Sequence, residues 1–426
     1  MITTENGLLH IDGCSATSLA EEYGTPLFVL SEEHIVAKCR EIRDSFLNNY
    51  PNTRAAYAGK AFLSLEMCRI IEREGLCLDV VSGGELYTAI KAAFPAERIE
   101  FNGNNKSLEE IEMAVDYGVG RIIIDGTDEL SLIESVCRER SKKVNALLRI
   151  SPGVDSHTHE FITTGNKDSK FGIPLDQAIF PTVFRSVLSS QYVNLLGFHF
   201  HVGSQLHDNT SHLKAISILL DLVLDLKKTY GYNTAELNVG GGFGIRYTEE
   251  DEEKSYAYFL DPMMEMIEKG FHSMGLGTPA VVIEPGRSIV GNAGITLYTV
   301  GTSKEIPGIR KYVSVDGGMT DNIRPALYDA KYECVLANRA EENTDSQLVT
   351  ISGKCCESGD ILIRDVLLPV PQRGDLLAIF STGAYCYTMS SNYNKIPLLP
   401  VVMTNKGHSR LIVKRQTYDD MISREL

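Results

Sequence analysis

The sequence predicts an α/β protein: a closed (β/α)8 TIM barrel joined to a second, all-β domain of sandwich or barrel-like form. Three observations carry that expectation. Eight short apolar runs alternate with stretches of helical periodicity. Each run ends in polar or glycine-rich residues, and Lys60 closes the first of them. Beyond about residue 298 the alternation gives way to short strand-like runs separated by Gly, Pro and Asn.

Taken in order, the strand-like runs of the first part fall at 55–57, 77–81, 99–102, 121–124, 146–150, 195–200, 237–239 and 281–283. Helical spacing links them, as in Leu65, Cys68, Ile70 and Ile71 before Gly75, or Ile216, Leu219, Leu220, Val223 and Leu226 before Gly231. Strands that alternate with helices pair in parallel, and eight such units over this length favour a closed barrel over an open doubly wound sheet. The later runs, at 312–315, 348–352, 376–380 and 399–403, predict the β domain. Leu8, Leu9, Ile11 and the run 27–30 are also strand-like, so the N-terminal segment is expected to pair into that domain. The expected division is a barrel over 31–290 and a β domain from 1–30 and 291–426.

Composition bounds the function. The 426 residues, 43% hydrophobic and 23% charged, can fill two ordinary cores and contain no low-complexity tract. A net charge of −15 and a pI near 5.2 disfavour nucleic acid and anionic membrane surfaces as partners. No apolar stretch reaches the roughly twenty residues of a membrane span. The opening residues, Met1 to Asn6, lack the basic and apolar segments of a secretion signal. Nine cysteines, an odd number, suit reduced thiols in the cytoplasm.

Barrel enzymes keep their chemistry at the C-terminal strand ends. A lone lysine there is ordinarily a solvated cation, but a partly desolvated one can form a Schiff base. After the seventh run, Gly240, Gly241 and Gly242 offer bare backbone N–H groups to an anion; a dinucleotide fingerprint is excluded, because Ile245 stands where its third glycine belongs. The eighth run ends in Glu284-Pro285-Gly286-Arg287, an internal ion pair or part of a site. The sixth ends in His199-Phe200-His201-Val202-Gly203-Ser204. Two histidines on one strand face suit a metal, yet that reading leaves the lysine, glycines and arginine without roles. Pyridoxal 5'-phosphate uses every piece: an aldehyde for Lys60, a phosphate for the glycines and Ser204, a ring face for His201 and a pyridine nitrogen for Glu284.

These motifs resemble the fold-type III pyridoxal-phosphate decarboxylases, the group that includes alanine racemase and the ornithine and arginine decarboxylases, and most closely the diaminopimelate decarboxylases. The match runs nearly end to end. The resemblance implies that Lys60 holds the cofactor and that His201 stacks on its ring. Ser204, Gly240, Gly241, Gly242, Gly286, Arg287 and Tyr385 would complete the cofactor site, with Glu284 pairing the ring nitrogen, where an arginine would suit a racemase instead. Cys355-Cys356-Glu357-Ser358-Gly359-Asp360 resembles the segment such dimers insert into the neighbouring subunit's site, which makes Cys356 the acid that protonates the carbanion. Paired cysteines on a β-rich segment are otherwise most often apolar filler.

The resemblance also implies the substrate. Arg287, Arg324 and Tyr328, with Tyr385 beside them, would grip a distal carboxylate, and Glu357 would pair a distal amino group. An enzyme for ornithine has a cationic tail to hold and would be penalised by two arginines. The loop from His157-Thr158-His159-Glu160 to Ser169-Lys170-Phe171-Gly172 is a further local match, and Asp329 after Tyr328 a departure. The implied activity is decarboxylation of meso-2,6-diaminopimelate to L-lysine, the last step of bacterial lysine biosynthesis, by a cytoplasmic homodimer with shared sites and no metal. The alternatives are a decarboxylase of D-lysine, D-ornithine or another diamino acid, and a cofactor-carrying barrel without turnover.

Overall fold

The computed structural model describes residues 1–154, 169–341 and 345–426. Two compact units are distinguishable. One comprises residues 39–244 and 253–286, the other residues 1–38, 245–252 and 287–426.

The first unit is a barrel of eight strands: β1 (Thr53–Ala58), β2 (Cys77–Val80), β3 (Ile99–Phe101), β4 (Arg121–Ile124), β5 (Val144–Ser151), β6 (Val193–His199), β7 (Glu236–Asn238) and β8 (Ala280–Ile283). Each pairs in parallel with the next, and β8 pairs with β1, Val281 opposite Thr53. The ring is therefore closed and has no open strand edge. Every strand-like run read from the sequence is a strand, with ends moved by a residue or two.

Local chemistry explains where the intervening helices start. Ser64, Ser82, Ser107 and Ser255 each accept a backbone N–H of the first helical turn, satisfying one of the amides that a helix start leaves without a partner. Gly118 and Gly231 end two helices in the left-handed conformation. The barrel's outer layer includes Phe180, Phe184, Phe198 and Tyr232, with ring centroids 5.3–6.4 Å apart. Where the strands begin, Glu236 receives both Arg121 N–H groups at 2.8 and 3.0 Å and lies 2.6 Å from Arg54.

The second unit is β-rich. Its main sheet runs in the order Ile361–Pro369, Ser346–Ser352, Arg310–Val315, Gly294–Ile306, Leu27–Ser31, Val401–Asn405, His408–Val413. The strand Gly294–Ile306 spans it: its first half pairs with Leu27–Ser31 and Leu376–Ile379, its second half with Arg310–Val315, with an irregularity between Val300 and Ser303. The N-terminal segment enters this sheet only through Leu27–Ser31. Leu8–Ile11 instead joins Ile2–Glu5 and Cys14–Ser15 in a small sheet of its own, because a polar turn, Glu5-Asn6-Gly7, folds the chain back at once. Asp12 fastens that sheet down by accepting from Ser31 Oγ at 2.7 Å and Thr404 Oγ1 at 3.0 Å. Among the described residues no helix is long and apolar enough to cross a membrane.

Phe184 is fully buried among four other rings, those of Phe180, Phe198, Tyr230 and Tyr232. Phe184→Ala is expected to lower the unfolding free energy by about 3–5 kcal/mol, measured as a drop in the urea midpoint at unchanged slope.

Candidate active site

The barrel brings eight predicted residues and several unpredicted ones to the C-terminal strand ends. Lys60 follows β1 in the short turn Gly59–Ala61 and is exposed. Its cation acts electrostatically on Asp79 of β2, His201 beyond β6 and Glu284 beyond β8.

Glu284 is the centre of a buried network. It is 7% exposed. Asn102 Nδ2 and Asn238 Nδ2 donate to its Oε1 at 3.1 and 2.9 Å. His199 Nε2 lies 3.1 Å from Oε1 and 3.2 Å from Oε2. Burial by itself would raise this carboxyl, but His199 and then the Lys60 cation outweigh it and hold Glu284 far below the usual carboxylate range.

Each carboxamide spans two acids. Asn102 Nδ2 also donates to Asp79 Oδ1, and Asn238 Nδ2 to Glu100 Oε2, both at 2.7 Å. Asp79 is raised well above its ordinary value by burial and by the charge on Glu284. Glu100 is pushed up to about 8 by burial, then by Glu284 and Glu236. Carboxyl groups so close in a low-dielectric interior cannot all ionise. The ionised form is thus favoured on Glu284 and disfavoured on Asp79 and Glu100 beside it.

The glycine run is a cradle that side chains would fill. A Cβ on Gly241 would lie 2.0 Å from the Glu284 carbonyl oxygen, and one on Gly240 2.8 Å from His201 Nδ1. The Gly240 amide donates to Asn238 Oδ1 at 3.0 Å and the Gly241 amide to His201 Nδ1 at 3.2 Å. Among the described residues the amides of Gly242 and Gly286 have no protein partner. The amides open to an anion are thus fewer than the glycine count suggests. His201 is half-buried. Burial first, and the Lys60 cation second, push its pKa well below the usual histidine value, so its ring is neutral. Ser204 is half-buried on the same post-β6 segment.

A neutral aromatic ring, unpartnered backbone amides, a lysine and an ionised carboxylate fit pyridoxal phosphate. Those residues would hold its ring, phosphate, aldehyde and pyridine nitrogen respectively.

The β-rich unit carries the other predicted residues. Arg287 and Arg324 are 6% and 7% exposed. Both donate to the Tyr247 phenol oxygen, Arg324 at 3.0 Å, and Arg324 donates also to Tyr332. The Arg287 guanidinium stacks 4.8 Å over the ring of Tyr385, and Arg324 lies 6.0 Å from that of Tyr328. Tyr385 is half-buried with φ +61°, a left-handed conformation that costs a non-glycine residue free energy and recurs at functional sites. Cys356 and Glu357 are exposed on the turn after strand Ser346–Ser352. That turn is anchored: Asp360 Oδ2 accepts from Cys355 N at 2.8 Å, Asn394 Oδ1 from Cys356 N at 2.7 Å, and Tyr393 donates to the Cys356 carbonyl at 3.2 Å. The loop match at His157 to Asp168 lies outside the described residues.

Asp79, Glu100, Asn102, Asn238, Tyr247 and Tyr332 were not singled out from the sequence. A signal existed for two of them. Asp79 and Glu100 are acids inside otherwise apolar strands, Cys77–Val80 and Ile99–Phe101, where an ionised group would be costly.

Comparison with known proteins bears on the whole chain. Residues 32–291 match a family described as pyridoxal-dependent decarboxylase, pyridoxal binding domain. The chain is 48% identical over 422 residues to the diaminopimelate decarboxylase of Bacillus subtilis, covering 99% of this chain and 96% of that protein. The diaminopimelate decarboxylase of M. jannaschii in co-complex with L-lysine superimposes with a TM-score of 0.93 at 35% identity, covering 100% of this chain and 98% of that one. The Helicobacter pylori enzyme complexed with L-lysine gives 0.86 at 30%, covering 96% and 98%.

Glu100 binds its proton more tightly in the folded state than in the unfolded chain. Its contribution to stability is therefore full below the unfolded carboxyl range and is lost as pH rises towards about 8. Glu100→Gln is expected to flatten the decline in unfolding free energy between pH 5 and 8, which for one such group reaches about 1.4 kcal/mol per pH unit. Urea unfolding across that range checks it; an unchanged slope means Glu100 does not titrate there.

Proposed function

The chain belongs to the pyridoxal-dependent decarboxylases, and we propose that it converts meso-2,6-diaminopimelate to L-lysine and carbon dioxide. The observation that carries the choice of substrate is the pair of buried guanidinium groups on Arg287 and Arg324, which suit a distal carboxylate and would repel a purely cationic tail. The relatives named as diaminopimelate decarboxylases, and the lysine-bound structures among them, support the same choice.

When bound, pyridoxal phosphate supplies an aldehyde that links to an amine and a ring that accepts the electron pair left as carbon dioxide departs. Lys60, in the turn after the first barrel strand, would hold it through its side-chain amine. Ser204, the glycine segment and Tyr385 would receive the phosphate, and His201 would pack against the ring. Glu284, held by Asn102, Asn238 and His199, would keep a proton on the pyridine nitrogen. An arginine at that position could not, because it has no lone pair to accept with.

Arg287 and Arg324, with Tyr328, hold the distal carboxylate, and Glu357 takes the distal ammonium. The Cys356 thiol gives its proton to the carbon from which carbon dioxide has left, and the thiolate regains one from solvent. Cys356 and Glu357 are exposed on their own turn, which suits insertion into a second subunit. The working form on this reading is a cytoplasmic homodimer with shared sites. The nine cysteines are all free thiols, in keeping with a reducing compartment.

Lysine and carbon dioxide release from meso-diaminopimelate, run beside D-lysine, D-ornithine and L-ornithine with added pyridoxal phosphate, tests the substrate. Clear preference for diaminopimelate is expected; preference for a substrate without the distal carboxylate removes the roles given to Arg287 and Arg324. Cys356→Ala and Lys60→Ala proteins, each inactive, are expected to recover about a quarter of wild-type activity when mixed, through hybrid dimers with one intact site. No recovery despite confirmed subunit exchange overturns the shared site.

A further inference from the structure

Tyr247 follows the glycine run by five residues and belongs to the β-rich unit. It is 8% exposed. Its phenol oxygen accepts an N–H from Arg324 Nη1 at 3.0 Å and another from Arg287 Nη1. The guanidinium carbons of Arg324 and Arg287 lie 5.1 and 5.7 Å from its ring centroid. The second phenol on Arg324, Tyr332, meets the Tyr247 ring edge-on, centroids 5.4 Å apart at 85°, and its oxygen lies 3.7 Å from Cys386 Sγ.

Two guanidinium groups repel each other, and bringing both to one buried atom requires an acceptor between them. A carboxylate there would hold them but would also neutralise them. A phenol accepts both hydrogen bonds and leaves the charge in place. Among the described residues Arg324 makes no ion pair with a carboxylate, so its charge remains available to a ligand.

We propose that Tyr247 is a specificity-determining positioning residue, its phenol oxygen holding Arg287 and Arg324 together as the receptor for the substrate's distal carboxylate. The inference rests on the diaminopimelate reading of those two arginines. Tyr247 itself touches the arginines, and acts on the substrate through them.

The test uses the holoenzyme, wild type and Tyr247→Phe. L-lysine, which keeps the distal carboxylate, and cadaverine, the same diamine chain without it, are titrated by calorimetry and by cofactor absorption, and KM and kcat are measured for meso-diaminopimelate. In Tyr247→Phe the lysine Kd and the diaminopimelate KM are expected to rise about tenfold, the effect of one hydrogen bond to a charged group, while cadaverine affinity changes less than about twofold. Unchanged lysine affinity overturns the proposal. So does an equal loss for lysine and cadaverine, which would make Tyr247 a general packing residue. Tyr247→Gln, which keeps an acceptor without the ring, is expected to retain lysine affinity better than Tyr247→Phe and serves alone if the latter does not fold: a Gln variant weakened equally towards both ligands overturns the proposal. A wild-type enzyme that neither binds lysine nor decarboxylates diaminopimelate overturns the substrate reading and this inference together. A competent wild type with an unaltered Tyr247→Phe overturns this inference only.

Discussion

The ionised carboxylate of Glu284, held inside a closed ring of strands, is the constraint on which the barrel's chemistry depends. A charge in that interior is tolerated only with several donors aimed at it, and the donors come from distant parts of the chain. Asn102 follows β3, Asn238 ends β7 and His199 ends β6, yet all three reach one carboxyl group. β3 and β7 stand opposite each other in the ring, so no open sheet could bring Asn102 and Asn238 to the same oxygen. The bond from Asn238 to Glu100 of β3 crosses the interior in the same way.

The neighbouring acids sharpen this arrangement. Asp79 and Glu100 are within one carboxamide of Glu284, and burial together with its charge raises the pKa of both. Of the three neighbouring carboxyls, Glu284 is the one whose ionised form is favoured.

The β-rich unit handles positive charge by a parallel rule. Arg287 and Arg324 are buried against phenols and ring faces, with Tyr247 accepting from both. The Tyr247 phenol offers both arginines a hydrogen-bond acceptor without a carboxylate, and aromatic faces offset part of the desolvation cost.

How much of this was legible in the sequence differs by level. The eight barrel strands and the glycine, lysine and glutamate at their ends follow from apolar periodicity and from local residue chemistry, both properties of neighbouring residues. The long strand Gly294–Ile306 and the edge strand Ile361–Pro369 were harder to see, because each is part buried and part exposed and its apolar pattern changes along its length. The small sheet of residues 2–15 looked like part of the large one, since strand propensity does not name a partner. Residue type and local pattern are enough to single out Lys60, His201, Glu284, the two arginines and Cys356 as candidates for chemistry. Only the tertiary structure decided which carboxyl is charged, that Gly240 and Gly241 spend their amides on Asn238 and His201, and that one tyrosine joins both arginines. Those outcomes depend on burial and on distances between residues far apart in the chain, which no local pattern encodes.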